Sequence, residues 1–274
     1  MFSKKNKVSR NDLIAALDLP VNKKLGDSTE LKILHENDEE EMMNVFGDSF
    51  LDDPMAKWIA GLDGKSIDDE KKKELQFKVN RNLIGGWANR PILIRQKGIV
   101  IGAKTATETS ASEANSNTAD DKAKKLLTGV ISLMPGQYNN DTMLDTITNM
   151  IFAGAPPFYG KEAKNYGPHS DKRLESLKVI SKRRKELMKD KDYVYIQTIG
   201  VLCEYQGKGI GGRLLRASFE AIDSLKVPTY LETESKENEA LYQHFGFNTA
   251  EVLELEAKGT STKLPMYLMI RPPK

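Results

Sequence analysis

The pattern of apolar and polar residues is clearest in the last third of the chain, where strands and helices alternate. Residues 193–202 form an apolar run rich in β-branched and aromatic side chains, which predicts a buried strand. An amphipathic helix follows a glycine-rich turn and places these apolar residues on one face: Leu214, Leu215, Phe219, Ile222 and Leu225. Residues 230–234 then predict a strand. Residues 238–246 predict a short helix that Asn238 caps and Gly246 ends.

The first half of the chain carries weaker signals of the same two kinds. Apolar and β-branched residues predict strands at 31–34, 91–101 and 126–133, and helical spacing predicts a helix at 39–50. Residues 103–125 hold almost no large apolar side chain, so they cannot bury enough surface to offset the entropy of ordering. We therefore expect a disordered insertion at about 103–125 between two strands.

This order of elements predicts one mixed α/β domain. We expect that domain to cover residues 28–274 and to include the insertion. Residues 1–27 mix charged residues with one short amphipathic piece, and we interpret them as a loosely ordered N-terminal extension.

Composition narrows the class of protein. The 41 basic and 39 acidic residues give a net charge of +2, which argues against a dedicated nucleic-acid binder. No apolar run approaches the length of a membrane span, and the N-terminus lacks the apolar core of a signal peptide. A single cysteine, Cys203, fits a reducing compartment, so we expect a cytoplasmic protein without membrane partners. One cysteine and three scattered histidines also argue against a metal site.

The glycine-rich turn at residues 206–212 predicts an anion site, since glycines let a phosphate approach the unpaired amides at a helix start. A nucleotide P-loop would need Ser or Thr after Gly207-Lys208, where this chain has Gly209. The dinucleotide pattern Gly-x-Gly-x-x-Gly fits, with Glu232 at the expected distance, but too few residues follow for the rest of such a sheet. A third interpretation is that the turn binds the pyrophosphate of coenzyme A.

Two sequence motifs support coenzyme A as the ligand of the turn. Residues 206–211 fit [Gln/Arg]-x-x-Gly-x-[Gly/Ala], and residues 238–247 fit Asn-x-x-Leu-Tyr-x-x-x-Gly-Phe, in the right order with one helix between them. The chain thereby resembles the GNAT superfamily of N-acetyltransferases. Residues 50–54 with Trp58, and residues 129–136, further resemble the puromycin N-acetyltransferase-like branch.

The resemblance implies the GNAT fold: a mixed α+β architecture with a twisted, mostly antiparallel sheet, a splayed strand pair and flanking helices. It implies an N-acetyltransferase that uses acetyl-CoA as co-substrate and transfers the acetyl group directly, in a ternary complex, to a small primary amine. Such a protein would act as a monomer or a homodimer. A coenzyme A-binding sensor without turnover, or an acetyltransferase of protein lysines or N-termini, remain alternatives.

The resemblance also assigns site residues. The coenzyme would contact Ile199, Gly200, Val201, Gln206, Gly207, Lys208, Gly209, Ile210, Gly211, Gly212, Arg213 and Asn238. Tyr242 would protonate the departing thiolate, and the amide of Val201 would stabilise the oxyanion. Each of these assignments has a structural alternative. Tyr242 could be a packing residue, and Lys208 and Arg213 could be solvent-exposed cations. Asn238 could cap its helix without contacting the coenzyme.

A general base would take the proton of the amine. Glu232 is the first candidate, with Glu234 and Glu204 as rivals, although a solvated strand-end carboxylate explains Glu232 equally well. The residues proposed to line the acceptor pocket are Phe50, Asp53 and Trp58, and packing would account for the two aromatic ones. Cys203 has no evident neighbouring base, so we interpret it as a packing residue and not as an acetyl carrier.

Overall fold

A computed structural model describes residues 7–22, 29–62, 65–66, 68–106, 125–138, 160–257, 259–260 and 262–274. Its helices are α1 Arg10–Asn22, α2 Glu39–Ser49, α3 Pro54–Ala60, α4 Asp69–Asn80, a π-helix Arg81–Asn89, α5 Arg90–Arg95, α6 Ser170–Ser176, α7 Lys178–Leu187, α8 Ile210–Ser224 and α9 Lys236–His244. Its strands are β1 Thr29–Ile33, β2 Ile99–Ala106, β3 Lys125–Pro135, β4 Val194–Val201, β5 Thr229–Thr233, β6 Asn248–Glu256 and β7 Lys263–Arg271.

The strands form one seven-stranded sheet in the order β1-β2-β3-β4-β5-β7-β6. Every neighbouring pair is antiparallel except β4 and β5, which are parallel and connected through α8. That parallel pair is joined only at Val194–Thr229 and Tyr195–Tyr230, so the two strands separate beyond Tyr195. The predicted mixed, mostly antiparallel sheet with a splayed pair is therefore confirmed.

Helices cover both faces of the sheet. On one face, α1 and α8 pack against the strands, and the apolar stripe predicted for α8 is buried through Leu214, Leu215 and Phe219. On the other face, α3, the π-helix and α7 bury Ile59, Leu83 and other apolar residues against β4, β5 and β7. Each fully buried side chain of this size contributes about 1.5–3 kcal/mol. Within the described part of the chain, no helix is both long and apolar enough to cross a membrane.

The predicted loose extension at residues 1–27 requires a correction. Arg10–Asn22 forms α1, and both Leu13 and Leu17 are fully buried in the core that α8 shares. Asp192 anchors the start of this segment, since its carboxylate accepts a hydrogen bond of 2.8 Å from the amide of Val8. The sequence was misleading because the apolar stripe of α1 is short and its partner surface is distant in the chain. Residues 1–6 and 23–28 lie outside the described residues.

The strand predicted at residues 91–101 is wrong in its first half. Arg90–Arg95 is helix α5, with Pro91 in its first turn, and the chain turns at Gln96 in the left-handed region (φ 50°) before β2 begins at Ile99. A short apolar run fits a buried helix as well as a strand, and proline is tolerated at a helix start. Residues 103–106, assigned to the predicted insertion, belong to β2, whereas 107–124 lie outside the described residues.

Candidate active site

A cavity of about 350 Å³ opens where β4 and β5 separate. Its floor is formed by residues 195–199 of β4, by residues 231–233 of β5 and by Glu234, which follows β5. Its walls come from the π-helix, from the end of α2 to the start of α3, and from α6 and α7. A volume of this size is at the lower end of the range for small-molecule sites, which is about 300–1,000 Å³. The splay of the two parallel strands therefore creates the site.

One edge of β4 is open toward this cavity. The amide of Leu202 donates to the carbonyl of Thr128, and Gly200 pairs with Val130, so these residues direct their amides toward β3. Amide direction alternates along a strand, and Ile199 and Val201 consequently direct their N–H groups toward the β5 side. Gln206 Nε2 donates to the carbonyl of Val201 over 3.1 Å, which gives this side chain a role in closing the turn.

The glycine-rich turn leads directly from this edge into α8. Gly207 (φ 75°) and Gly209 (φ 80°) are both in the left-handed region that favours glycine, and Gly209 caps α8. The amide of Gln206 donates to the carbonyl of Cys203, and the amide of Arg213 donates to that of Gly209. Between them, the amides of residues 207–212 have no backbone acceptor among the described residues. The turn thus presents a set of donors at the positive end of a helix.

A sequence model described as the acetyltransferase (GNAT) domain matches residues 181–249, which hold β4, the glycine-rich turn, α8, β5 and α9. Over this segment the chain matches the GNAT acetyltransferase domain. The predicted superfamily is therefore confirmed, whereas its puromycin N-acetyltransferase-like branch remains a prediction. An uncharacterized N-acetyltransferase of Schizosaccharomyces pombe is 30% identical over 102 residues. The match spans 36% of this chain and 40% of that protein.

Solved structures with similar folds have lower sequence identity to this chain. A histone acetyltransferase HPA2-related protein from Corynebacterium glutamicum is 15% identical, with a TM-score of 0.45 and coverage of 90% of this chain and 97% of that chain. An agmatine N-acetyltransferase is 13% identical, with a TM-score of 0.49 and coverage of 90% and 100%, respectively. Similarity at this level supports no statement about the substrate of the GNAT domain.

Two carboxyl groups of the cavity lie within hydrogen-bonding distance of each other. Asp53 precedes α3 and accepts a hydrogen bond of 2.7 Å from the amide of Ala56, while Glu234 follows β5. Burial, together with the adjacent Asp53, raises the pKa of Glu234 to about 9, and burial also raises the pKa of Asp53. Because like charges this close do not both ionise, the pair carries at most one negative charge at neutral pH.

Glu232 has a different environment from the one that a general base requires. Its carboxylate is 2.8 Å from Arg184 Nη1, and both side chains are buried, with exposures of 8% and 6%. The guanidinium of Arg184 also lies 4.5 Å from the ring centre of Tyr195. Glu232 therefore has a structural partner that the sequence did not indicate, whereas Glu234 lies beside a second carboxyl group, Asp53, in the cavity.

Tyr242 lines the cavity from α9 and is 8% exposed. Its ring packs edge-on against Phe247, with 5.7 Å between ring centres. Burial raises the pKa of its phenol above the ordinary value, and the nearby carboxyl groups of Glu234 and Asp53 add to that rise. The hydroxyl is thus held in its protonated, donating form beside the carboxyl pair.

Asn238 does not cap α9, which corrects the sequence prediction. Ser235 is the cap, and its hydroxyl accepts the amide of Asn238 over 3.1 Å. Serine and asparagine are both favoured cap residues, so residue type alone does not distinguish Ser235, directly before the helix, from Asn238. The side-chain amide of Asn238 instead approaches Glu234 Oε1 at 3.5 Å within the cavity wall. Gly246 (φ 92°) ends the helix as predicted.

The proposed acceptor residues separate into two groups. Phe50 and Asp53 line the cavity, but Trp58 does not: its indole nitrogen donates to the Thr262 hydroxyl over 3.2 Å, within the packed core. Trp87 of the π-helix lines the cavity instead. Irregular π-turns are frequent at functional sites, and the adjacent Gly85 allows close contact with Met43.

The cationic residues of the turn differ in their surroundings. Lys208 is exposed, and its ammonium lies 4.6 Å from the ring centre of Tyr205. Arg213 is partly buried in the first turn of α8.

Among the described residues, no group of three or more His, Cys, Asp or Glu side chains is arranged as metal ligands would be.

Proposed function

We propose that this chain is an acetyl-CoA-dependent N-acetyltransferase that transfers the acetyl group directly to the primary amine of a small molecule. One observation carries the proposal. The open edge of β4 connects the glycine-rich turn, at one end, with a cavity that holds Tyr242 and the Asp53–Glu234 pair, at the other. Strand β4 thereby connects the proposed phosphate-binding turn with the proposed site of proton transfer.

The amides of residues 207–212 would bind the pyrophosphate of the coenzyme, because they lack backbone acceptors among the described residues and face the positive end of α8. Lys208 and Arg213 would add positive charge there. By resemblance to the superfamily, the pantetheine arm would pair with the open edge of β4 near Ile199. Acetyl-CoA is a co-substrate here, and the thioester supplies the acetyl group.

The amine must lose a proton before it can attack the thioester carbonyl. With one of its two carboxyl groups ionised, the Asp53–Glu234 pair in the cavity would both attract an ammonium and accept its proton. We therefore assign the general base to the Asp53–Glu234 pair, in place of Glu232, which was the first candidate from the sequence. Glu232 would have a structural role: its ion pair with Arg184 would fix the position of Arg184 in the cavity wall.

The tetrahedral intermediate requires a donor for its oxyanion, and the amide of Val201 faces the open side of β4 where that oxygen would lie. When the intermediate collapses, the sulfur departs as a thiolate, and the phenol of Tyr242 would give it a proton. The phenol of Tyr242 is protonated at neutral pH, so it has a proton to donate.

Direct transfer is favoured over an acetyl-cysteine intermediate. Burial and the adjacent Asp48 raise the pKa of the Cys203 thiol, which leaves less of the nucleophilic thiolate. Its sulfur lies 3.3 Å from the carbonyl oxygen of Asp48, and Cys203 is not part of the cavity lining. The amine would therefore attack the thioester itself.

The test is release of free thiol from acetyl-CoA across a panel of amines, paired with calorimetry for coenzyme binding. Thiol release that depends on amine supports the enzyme, and coenzyme binding without turnover would indicate a sensor module. Val201→Pro removes the proposed oxyanion donor without removing an amide that β3 uses, so we expect kcat to fall about 10²–10³-fold. Val201→Ala keeps the amide and serves as the matched control.

A further inference from the structure

Four charged side chains among the described residues line the cavity: Asp53, Arg184, Glu232 and Glu234. Arg184 and Glu232 form a buried ion pair at 2.8 Å, so their charges cancel locally. Asp53 and Glu234 are within hydrogen-bonding distance of each other and cannot both be ionised. This part of the cavity therefore offers at most one net negative charge, located between the start of α3 and the end of β5.

The other walls of the cavity are mostly apolar. Leu83, Ile84 and Trp87 come from the π-helix. Leu174 comes from α6, Ile180 from α7, and Leu177 lies between these two helices. These side chains could contact a hydrocarbon or aromatic body, but they provide no partner for a second charge. Transfer of an unpaired charge into such surroundings is strongly unfavourable, by several kcal/mol per ion.

We propose that the acceptor is a lipophilic primary amine with one cationic nitrogen and an alkyl or arylalkyl body. This inference depends on the proposed function for the transfer step, but the binding preference stands on the cavity itself. The ammonium would bind at Asp53 and Glu234, and the body would lie against Trp87 and Leu177. A diamine would place its second ammonium against apolar side chains. An amino acid would place its carboxylate near the carboxyl pair, because Glu232 already occupies Arg184.

Two pairs of matched amines test this preference. Hexylamine and hexamethylenediamine differ by one ammonium, and phenethylamine and phenylalanine differ by one carboxylate. With acetyl-CoA and the unmodified chain, we expect kcat/KM for thiol release to be at least about 100-fold higher for the first member of each pair, as an unpaired buried charge implies. Comparable or higher rates for the diamine or the amino acid would overturn the inference and leave the proposed function intact.

Binding measured without turnover separates the two proposals. The chain has two tryptophans, and Trp87 lines the cavity while Trp58 does not. In Trp58→Phe, fluorescence should change with hexylamine at concentrations where hexamethylenediamine has no effect; calorimetry on the unmodified chain repeats the comparison without a substitution. Selective binding without thiol release from any amine would refute the proposed function alone. Absent or unselective binding would refute the inference.

A charge placed on the apolar wall provides a further check. Leu174→Glu introduces a second carboxylate in the cavity, and Leu174→Gln introduces a polar group of the same size without charge. We expect the ratio of kcat/KM for hexamethylenediamine over hexylamine to rise about tenfold in Leu174→Glu only, as a new partner for the second ammonium would require. An equal ratio in both variants would contradict the proposed position of the body in the cavity.

Discussion

Replacing Glu234 by glutamine should remove a large part of the pH dependence of stability. The pKa of Glu234 is raised to about 9 in the folded chain from an ordinary value of 4.5, mainly by burial and then by Asp53. The folded state consequently binds a proton that the unfolded state releases above its lower pKa. The stabilisation from this group is complete below the unfolded pKa and is lost as the pH rises toward about 9.

The size of the effect follows from one proton. A difference of one bound proton changes the free energy of unfolding by about 1.4 kcal/mol per pH unit. Between about pH 6 and pH 8, the parent chain should therefore lose roughly 3 kcal/mol relative to Glu234→Gln. Glutamine keeps the shape of the protonated acid and can donate to Asp53, so the variant should fold and should be the more stable protein at alkaline pH.

Urea unfolding at a series of pH values measures this difference directly. Comparison of the two curves cancels the titration of groups far from Glu234, whereas Asp53 is in contact with Glu234 and contributes to the difference. Glu204→Gln is the control, because Glu204 is exposed on the turn and its replacement should leave the slope of the parent unchanged. Parallel curves for the parent and Glu234→Gln would refute the shared proton and, with it, the proton acceptor of the proposed mechanism.

The remaining predictions concern catalysis, coenzyme binding and the core. Tyr242→Phe should lower kcat by about 10²-fold in the thiol-release assay and leave the Kd of acetyl-CoA within about twofold. Gly209→Val should raise that Kd by at least about tenfold in calorimetry, because a branched side chain is strained at φ 80°. In urea unfolding, Arg184→Met should destabilise by about 3–5 kcal/mol, since Glu232 loses its buried partner, and adding Glu232→Met should recover most of the loss. Leu13→Ala should destabilise by about 2–5 kcal/mol.

Each of these results can fail in an informative way. Unchanged kcat in Tyr242→Phe would remove its proposed role as proton donor. Gly246→Val introduces similar strain at φ 92°, away from the glycine-rich turn, so equal loss of coenzyme affinity in both variants would indicate a general effect on folding. A fully stable Leu13→Ala would contradict the packing of α1.

The local elements of the site could be predicted from the sequence because their signals are local. The apolar run of β4, the stripe of α8 and the glycines at 207, 209 and 246 each depend on neighbours a few residues away. A residue that needs a positive φ is specified by its own backbone, and a buried helix face by its period. These features were sufficient to predict the superfamily and to locate Tyr242 and the glycine-rich turn.

Only the tertiary structure showed which side chains meet. Asp53 reaches Glu234, and Arg184 reaches Glu232, across elements that are far apart in the chain. The splay of β4 from β5 sets the width of the cavity, and the π-helix brings Trp87 into it while Trp58 turns into the core. The periodicity of apolar residues indicates which face of a helix or strand is buried, but it does not indicate which residues pack against that face. The proposal for the general base therefore depends on contacts between residues far apart in the chain, which only the packed structure shows.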